Sequence, residues 1–98
     1  MNLVWQPQAL EDLKSIQHYI AADNPTAANR IVVTVVSVVH DQLTEFPESG
    51  RIGRVEGTRE LVVPKTPFIV PYRIAGNTID ILAVHHGSQR WPETFSDE

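Results

Sequence analysis

A two-residue turn, Gly76-Asn77, sets the strongest constraint on how this chain folds. The turn lies between two strand-like runs, Phe68–Ile74 and Thr78–His86, and such a dipeptide in that setting closes a β-hairpin. Because a hairpin turn fixes the register of its strands, the residues that face each other can be assigned in advance. The predicted pairs on the core side are Ile74 with Ile79, Tyr72 with Ile81, Val70 with Ala83, and Phe68 with His85.

A third strand-like run, Thr58–Val63, precedes this hairpin. The short connection Pro64–Pro67 puts Val63 opposite Phe68, which agrees with the register set by the later turn. The sequence therefore predicts a three-stranded antiparallel meander. Pro71 has no N–H group to donate to a ladder, so we expect a local irregularity in the middle strand.

The N-terminal part of the chain has helical spacing after a short strand, Asn2–Trp5. Pro7 suits the first turn of a helix. Asn24 and Pro25 then provide an N-cap and a first residue for a second helix. The apolar face of the first helix consists of Ala9, Leu13, Ile16 and Ile20.

The second helical segment, Thr26 to Phe46, is ambiguous by composition. Ile31–Val39 is nearly all β-branched, which favours a buried strand. The segment has no breaker before Pro47 and is too long for one strand, so we interpret it as a helix. Its apolar surface is wider than one stripe, which indicates burial on several sides or contact with a second copy or a partner. The residues at helical spacing are Ala28, Val32, Val35, Val39, Leu43 and Phe46, and Ile31, Val33, Val36 and Val38 widen the surface.

These elements predict a single α+β domain over residues 1–98. Its N-terminal short strand and two-helix hairpin pack on an antiparallel β-sheet, in the order β-α-α-β-β-β. A chain of 98 residues supports one small core, and the absence of cysteine excludes disulfides and cysteine-ligated metals. No apolar run approaches the roughly 20 residues of a membrane span, and the N-terminus lacks a signal peptide pattern. We therefore expect a cytoplasmic protein with no cofactor and no membrane partner.

Charge is distributed unevenly along a chain whose net charge is −4. The first 50 residues hold two basic and six acidic side chains, whereas residues 51–90 hold six basic and three acidic ones. A basic second half in an acidic protein indicates one polar binding surface. It does not indicate a protein that coats nucleic acid, because such a protein normally carries positive net charge.

The adjacent histidines His85 and His86 are the first candidates for chemistry, because imidazole titrates near neutral pH. Neighbouring strand residues point to opposite faces, so the pair is poorly placed to bind one metal, and we predict no metal site. A structural or partner-contacting role fits them better. Arg90 and Trp91 follow them, and an Arg–Trp pair near a chain end is typical of a recognition surface.

Several arginines are further candidates for contact with a target or partner. In the predicted register Arg73 lies opposite Asp80, where a cross-strand ion pair is the simplest account. Arg59 begins its strand near Tyr72, and it either anchors the loop that starts at Gly50 or projects into a cleft. The segment Gly50–Arg54 lacks the strand-loop-helix context of a phosphate-binding loop, so we interpret it as a flexible basic connector.

The order and spacing of several short motifs resemble the RelE/ParE superfamily of bacterial toxins. The resemblance extends from Trp5 to Trp91. The motifs that carry it are Ala9–Leu13, Tyr19-Ile20, Asp23–Pro25 with Ala27-Ala28, Leu43–Pro47, Gly50-Arg51, Gly57–Leu61, Tyr72–Ile74 and Ile79–Gly87. The resemblance implies the toxin of a type II toxin–antitoxin module, with a helical hairpin on an antiparallel sheet and a cognate antitoxin encoded beside it.

The two branches of that superfamily imply different mechanisms. RelE-like members cut messenger RNA on the ribosome, whereas ParE-like members are associated with inhibition of DNA gyrase. RelE-like toxins typically carry an arginine three positions before the tyrosine that matches Tyr72, and Ile69 stands there instead. They also typically carry a tyrosine after the closing strand, where this chain has Gly87 and Ser88. These departures and the acidic net charge favour the ParE-like branch.

Three expectations follow from the resemblance. The favoured one is a non-enzymatic inhibitor of DNA gyrase, and the first alternative is a ribosome-dependent mRNA endonuclease. A degenerate member that only binds antitoxin, within a toxin–antitoxin hetero-oligomer, is the second alternative. A nuclease would use Arg59, Arg73, His86 and Arg90, and target or partner contacts are predicted at Arg51, Arg54, Arg59, His85, His86, Arg90 and Trp91.

Overall fold

A computed structural model of the chain describes residues 1–87 and Phe95. These residues contain β1 Asn2–Trp5, α1 Pro7–Ala21, α2 Pro25–Glu45, β2 Arg51–Ile52, β3 Arg59–Val62, β4 Phe68–Ala75, β5 Thr78–Ile81 and β6 His85–His86. The predicted α+β order is confirmed. Two details differ from it, because the predicted loop contains the short strand β2 and the last predicted strand is divided into β5 and β6.

Local signals explain where the helices begin and end. Pro7 is the first residue of α1. At the start of α2 the Asn24 side chain accepts a hydrogen bond from the Ala27 N–H at 3.1 Å, which is the predicted N-cap. The β-branched run lies inside α2, and the buried residues of this helix are Ala28, Val35, Val39 and Leu43. Length and periodicity therefore outweigh β-propensity in this segment.

The sheet has the strand order β1-β5-β4-β3-β2, and β6 pairs with β4 beyond the end of β5. The pairs of β4 with β3, β5 and β6 are antiparallel, as is the pair of β2 with β3. β1 pairs with β5 in parallel, with Leu3 opposite Ile79. The sheet is therefore mixed rather than wholly antiparallel, because the first strand is inserted beside the last long one.

The register of the β4–β5 hairpin is confirmed near the turn and wrong further away. Tyr72 lies opposite Ile81, as predicted. Phe68, however, lies opposite His86 and not opposite His85, so one extra residue is accommodated in between. The slip occurs beside Pro71, whose carbonyl accepts a hydrogen bond from the Leu82 N–H at 3.0 Å. Proline has no N–H, so Pro71 cannot donate a second hydrogen bond to the neighbouring strand, and the ladder is interrupted at this residue. The irregularity predicted at Pro71 is therefore confirmed.

The hydrophobic core lies between the two helices and one face of the sheet. Its sheet residues include Phe68, Val70 and Tyr72 of β4, which face Val35, Val39 and Leu43 of α2. We call this side of the sheet the helix-covered face. Strand alternation places Ile69, Pro71 and Arg73 on the opposite side, the helix-free face. Neither helix in the described part of the chain is sufficiently long and apolar to cross a membrane.

Candidate functional site

Arg59 anchors the loop that precedes β3. Its Nη1 donates hydrogen bonds to the carbonyls of Glu48 at 3.0 Å and Gly50 at 2.9 Å. Its Nη2 lies 3.6 Å from the Glu48 carboxylate, most of which is exposed. Of the two roles that the sequence left open for Arg59, loop anchoring is the one that its contacts describe.

The side-chain hydroxyl of Tyr72 binds the same loop. Its buried hydroxyl donates to the Pro47 carbonyl at 2.7 Å and accepts from the Gly50 N–H at 2.9 Å. Burial raises the pKa of the Tyr72 hydroxyl, and the Gly50 hydrogen bond and the Arg59 charge offset only part of that rise. A Cβ atom on Gly50 would lie 2.6 Å from the Tyr72 ring, so only glycine fits at this point of the loop.

A buried carboxylate organises the next part of the loop. Glu60 is 2% exposed and lies on the helix-free face, where its Oε1 accepts from Arg51 Nε at 3.0 Å. Its Oε2 accepts from the Arg54 backbone N–H at 2.8 Å and from Arg54 Nε at 3.2 Å. Burial acts to raise the pKa of the Glu60 carboxyl, but the Arg54 and Arg51 hydrogen bonds outweigh it, so this pKa lies below its ordinary value.

The segment Gly50–Arg54 is therefore not a flexible connector, and that interpretation was wrong. Besides the bonds to Tyr72 and Glu60, the Gly53 N–H donates to the Thr58 carbonyl at 2.8 Å. A Cβ atom on Gly53 would overlap the Thr58 side chain, which makes the close approach specific for glycine. Glycines in a basic segment indicated mobility, whereas here they permit tight packing against β3.

Arg73 lies opposite Asp80, as the hairpin register predicted. The carboxylate of Asp80 also accepts a hydrogen bond from Gln6 Nε2 at 3.2 Å, which connects the sheet to the start of α1. Strand alternation places Arg73 on the helix-free face, whereas Arg59, opposite Tyr72, lies on the other one. Glu60 lies on the same face as Arg73 and forms its ion pairs with Arg51 and Arg54.

The two histidines point to opposite faces, as predicted, but His85 was predicted on the core side and lies on the helix-free face, because the register slips by one residue. His85 is 9% exposed on the helix-free face, with its ring centre 5.9 Å from that of Phe95. His86 is exposed on the helix-covered face and meets the Phe68 ring edge-to-face at 5.9 Å. Arg90 and Trp91, the other predicted contact residues near the C-terminus, lie outside the described residues.

An apolar groove of about 390 Å³ opens beside His86. It lies between the C-terminal half of α1, the first turns of α2 and the end of the sheet where β4 begins. Its lining consists of Ser15, Ile16, Tyr19, Ile20, Ile31, Pro67, Phe68, Val84 and His86. Tyr19 is 84% exposed at its rim. An apolar concavity beside an exposed aromatic side chain is suited to taking up side chains of another protein.

Among these lining residues, sequence reasoning proposed His86 as a contact and placed Ile31 on an apolar surface that is either buried or in contact with a partner. Ile16 and Ile20 were assigned to the core, and Phe68 and Val84 to the sheet. An available signal was Tyr19, because an aromatic residue beside the apolar face of a helix extends that face toward solvent. The groove itself needs the ends of both helices and of the sheet to meet, which no local pattern reports.

The predicted nuclease residues that the structure describes do not converge. Arg59 lies opposite Tyr72 and His86 opposite Phe68, so they are separated by roughly 13 Å along β4. Arg73 lies on the other face of the sheet. Within residues 1–87 and Phe95 there is no group of three or more His, Asp or Glu side chains that could hold a metal ion.

The family model described as the ParE toxin of the type II toxin–antitoxin system parDE matches residues 3–91. That match spans both helices and all the strands described above except the first residue of β1. The chain belongs to the ParE toxin family.

Two relatives of this ParE-family chain are named as toxins, and one of them carries a RelE name. A Sinorhizobium fredii protein named "Putative toxin Y4kP" is 46% identical over 91 residues, which are 93% of each chain. Toxin RelE2 of Caulobacter vibrioides is 32% identical, over 90% of this chain and 97% of that protein.

Solved structures agree with the fold of this toxin-family chain. The chromosomal ParDE system of P. aeruginosa contains a chain that is 32% identical, with a TM-score of 0.79 over 88% of this chain and 95% of that chain. A chain of the RelBE2 toxin–antitoxin complex of Mycobacterium tuberculosis is 26% identical, with a TM-score of 0.63 over 87% and 95% of the two chains. The helical hairpin on a sheet is therefore the fold shared by this toxin family and its RelE-named relatives.

Proposed function

We propose that this ParE-family toxin acts by binding DNA gyrase rather than by cutting RNA, and that a cognate antitoxin encoded beside it holds it inactive. The observation that carries this proposal is the separation of the candidate nuclease groups. Arg73 lies on the opposite face of the sheet from Arg59 and His86, so these three side chains cannot act on one phosphodiester bond. A gyrase target also implies a cytoplasmic toxin.

The surroundings of each group support the same reading. Arg59 donates hydrogen bonds to the carbonyls of Glu48 and Gly50. Because its guanidinium group is engaged there, it is poorly suited to stabilise a scissile phosphate. Ile69 occupies the position where RelE-like toxins typically carry an arginine, and it is 8% exposed. The acidic net charge of the chain also disfavours docking among ribosomal phosphates.

The apolar groove is the proposed seat of the antitoxin. Its walls come from α1, α2 and the β4–β6 end of the sheet, and an apolar segment of a partner would remove them from water. Tyr19 at the rim is a large aromatic side chain of the kind that dominates protein interfaces. The resulting complex is a toxin–antitoxin hetero-oligomer.

A supercoiling assay tests the proposed target. We expect the purified toxin to block gyrase supercoiling at micromolar concentration, and the antitoxin encoded in the neighbouring reading frame to restore it. The Tyr19→Asp variant should resist rescue, because a charge at the rim opposes apolar docking, yet it should still inhibit gyrase. Absence of inhibition by folded wild-type toxin would refute the gyrase proposal.

A ribosome-dependent mRNA endonuclease is the second candidate, and the similarity to Toxin RelE2 favours it. Primer extension on translated messages would then reveal cuts that depend on the toxin. Loss of those cuts in Arg73→Ala and His86→Ala variants that keep their fold would replace the gyrase proposal by this one. If neither activity occurs and induced expression does not slow growth, the chain is a member that only binds its antitoxin.

A further inference from the structure

The exposed side of α2 carries no charged residue over about three helical turns. Residues 31–40, between Arg30 and Asp41, consist only of Ile, Val, Thr, Ser and His. Among them Val33 is 62% exposed and Val36 is 37% exposed. An exposed helix surface usually carries charged side chains, and valine is a poor helix former where packing does not require it. The core of this chain therefore does not account for these two valines.

The first helix adds a third apolar side chain to this surface. On the exposed side of the helical hairpin, Gln17 Nε2 donates to Asn29 Oδ1 at 3.5 Å, which marks where α1 meets α2. Leu10 lies seven residues before Gln17, and Val36 lies seven residues after Asn29, so each is about two turns further along the hairpin on the same side. Leu10 is 48% exposed. We use the name outer hairpin face for the surface formed by Leu10, Val33 and Val36.

The outer hairpin face lies on the opposite side of the helices from the apolar groove. Ile31 lines the groove, and Val33 is two residues further along α2, which turns it by about 200° around the helix axis. Tyr19 also lines the groove, and it is nine residues from Leu10 on α1, which is a rotation of about 180°. A partner in the groove therefore leaves the outer hairpin face in water.

The two ends of this face carry opposite charges. Arg30 is exposed and forms no ion pair with another residue of the described chain. The side chain of Asp41 is 82% exposed, and its carboxylate lies 3.3 Å from His40 Nδ1. Arg30 and Asp41 are eleven residues apart, or about three turns, so both lie along the same rim of α2. The face thus has a positive end, an apolar centre and a negative end.

Such a face is complementary to itself when two copies of α2 lie antiparallel. A two-fold axis midway between Val33 and Val36 places Val33 of one copy against the partner's Val36. The midpoint between Arg30 and Asp41 lies one residue further, about 1.5 Å along the helix, so the same axis brings each Arg30 to the partner's Asp41. A parallel arrangement would place like charges together.

We propose that the outer hairpin face binds a second copy of this toxin, with α2 packed antiparallel on α2 of the partner. Interface centres are depleted of charged residues and have a polar rim, as this face does. The inference goes beyond the proposed function, because it requires neither the gyrase target nor the antitoxin groove. Within a toxin–antitoxin hetero-oligomer this contact joins two toxin chains and leaves both grooves open to antitoxin.

The size of the face sets the expected affinity. Two helices of 15 and 21 residues, each about 10 Å wide, offer roughly 500 Å² per copy where they overlap. A total of roughly 1,000 Å² is at the low end of specific protein interfaces. We therefore expect a weak dimer, with a Kd in the micromolar range or above.

Sedimentation equilibrium of the purified toxin, up to about 0.5 mM, measures this dimer. We expect Val33→Asp to raise the dimer Kd by at least about tenfold, because it places two carboxylates at the centre of the contact. Ile52→Asp is the matched control, since Ile52 is 76% exposed on β2, and its dimer Kd should equal that of wild type. The Kd for antitoxin should be equal in all three proteins.

Charge reversal tests the antiparallel arrangement. Arg30→Asp and Asp41→Arg each place like charges together at both ends, so each variant alone should dimerise roughly tenfold more weakly. An equimolar mixture of the two should associate as wild type does, because every facing pair then has opposite charges. Lys65→Asp makes the same change of charge as Arg30→Asp away from this face, and it should not alter the dimer. Circular dichroism checks that each variant is folded.

Each contrary outcome has a distinct meaning. Wild type that stays monomeric at about 0.5 mM overturns the inference and leaves the gyrase proposal standing. Equal dimerisation by wild type and Val33→Asp places the contact elsewhere and also overturns it. If the mixed charge variants fail to associate, the antiparallel contact is refuted. Loss of antitoxin binding by Val33→Asp would assign the outer hairpin face to the antitoxin and overturn the second copy as its occupant.

Discussion

Replacement of Tyr72 by phenylalanine removes one buried oxygen atom and two hydrogen bonds. The hydroxyl donates to the Pro47 carbonyl at 2.7 Å and accepts from the Gly50 N–H at 2.9 Å. A buried neutral hydrogen bond contributes about 1 kcal/mol, and the Gly50 donor would also lose its partner, so we expect a loss of about 2 kcal/mol. The ring stays in place, so no large cavity adds to this loss.

Chemical and thermal unfolding both measure this effect. A domain of 98 residues has an unfolding entropy of about 0.2 kcal/mol per kelvin, so a loss of about 2 kcal/mol lowers the Tm by about 10 °C. The Gly50 amide should also exchange with solvent faster in the variant. Tyr19→Phe is the matched control, because Tyr19 is 84% exposed, and its stability should change by less than about 0.5 kcal/mol.

Two results would contradict this reasoning. A loss for Tyr72→Phe no larger than that of the Tyr19→Phe control would mean that the hydroxyl does not hold the loop. Unchanged exchange at the Gly50 amide would mean the same. The raised pKa of Tyr72 adds a pH test: its neutral hydroxyl stabilises the fold fully below about pH 10, and that stability is lost as the pH rises through the folded-state pKa.

Three further substitutions test other parts of the structure, each by urea unfolding. Gly50→Ala should destabilise the fold by more than about 1 kcal/mol, because its Cβ would lie 2.6 Å from the Tyr72 ring; a neutral effect would refute the close approach. Glu60 has a lowered pKa, so it stabilises the fold above its ordinary value of 4.5, and the advantage of wild type over Glu60→Gln should shrink as the pH falls below that value. Val35→Asp should cost several kcal/mol at a fully buried position, whereas Val33→Asp, at 62% exposure, should cost less than about 0.5 kcal/mol; equal losses would mean that α2 is turned differently.

Prediction from the sequence succeeded where one short segment contains the whole signal. The N-cap at Asn24, the helix start at Pro25 and the turn at Gly76-Asn77 each depend on a few neighbouring residues. The irregularity at Pro71 was predictable for the same reason, since a missing N–H is a property of that residue alone. The direction of the register slip could not be predicted, because it depends on how Leu82–Val84 pack against β4.

The candidate site was less predictable. The sequence identified Arg51, Arg54 and Arg59 as residues that contact a target or partner, but it did not identify their hydrogen-bond partners within the chain. The structure places Glu60 between Arg51 and Arg54, and it turns Arg59 toward the Glu48 and Gly50 carbonyls. Ion-pair partners depend on which strands lie side by side, and the short strand β2 had no signal of its own in a glycine-rich segment.

The sequence by itself determined the order of the elements, the two helices, the hairpin register near its turn and membership in a toxin superfamily. Those properties follow from side-chain period and turn chemistry, which act over a few residues. Only the tertiary structure decided that β1 runs parallel to β5, that His85 and Phe95 meet on the helix-free face, and that an apolar groove forms where both helices meet the end of the sheet. These contacts join residues far apart in the chain, and their energies depend on packing that no local pattern encodes.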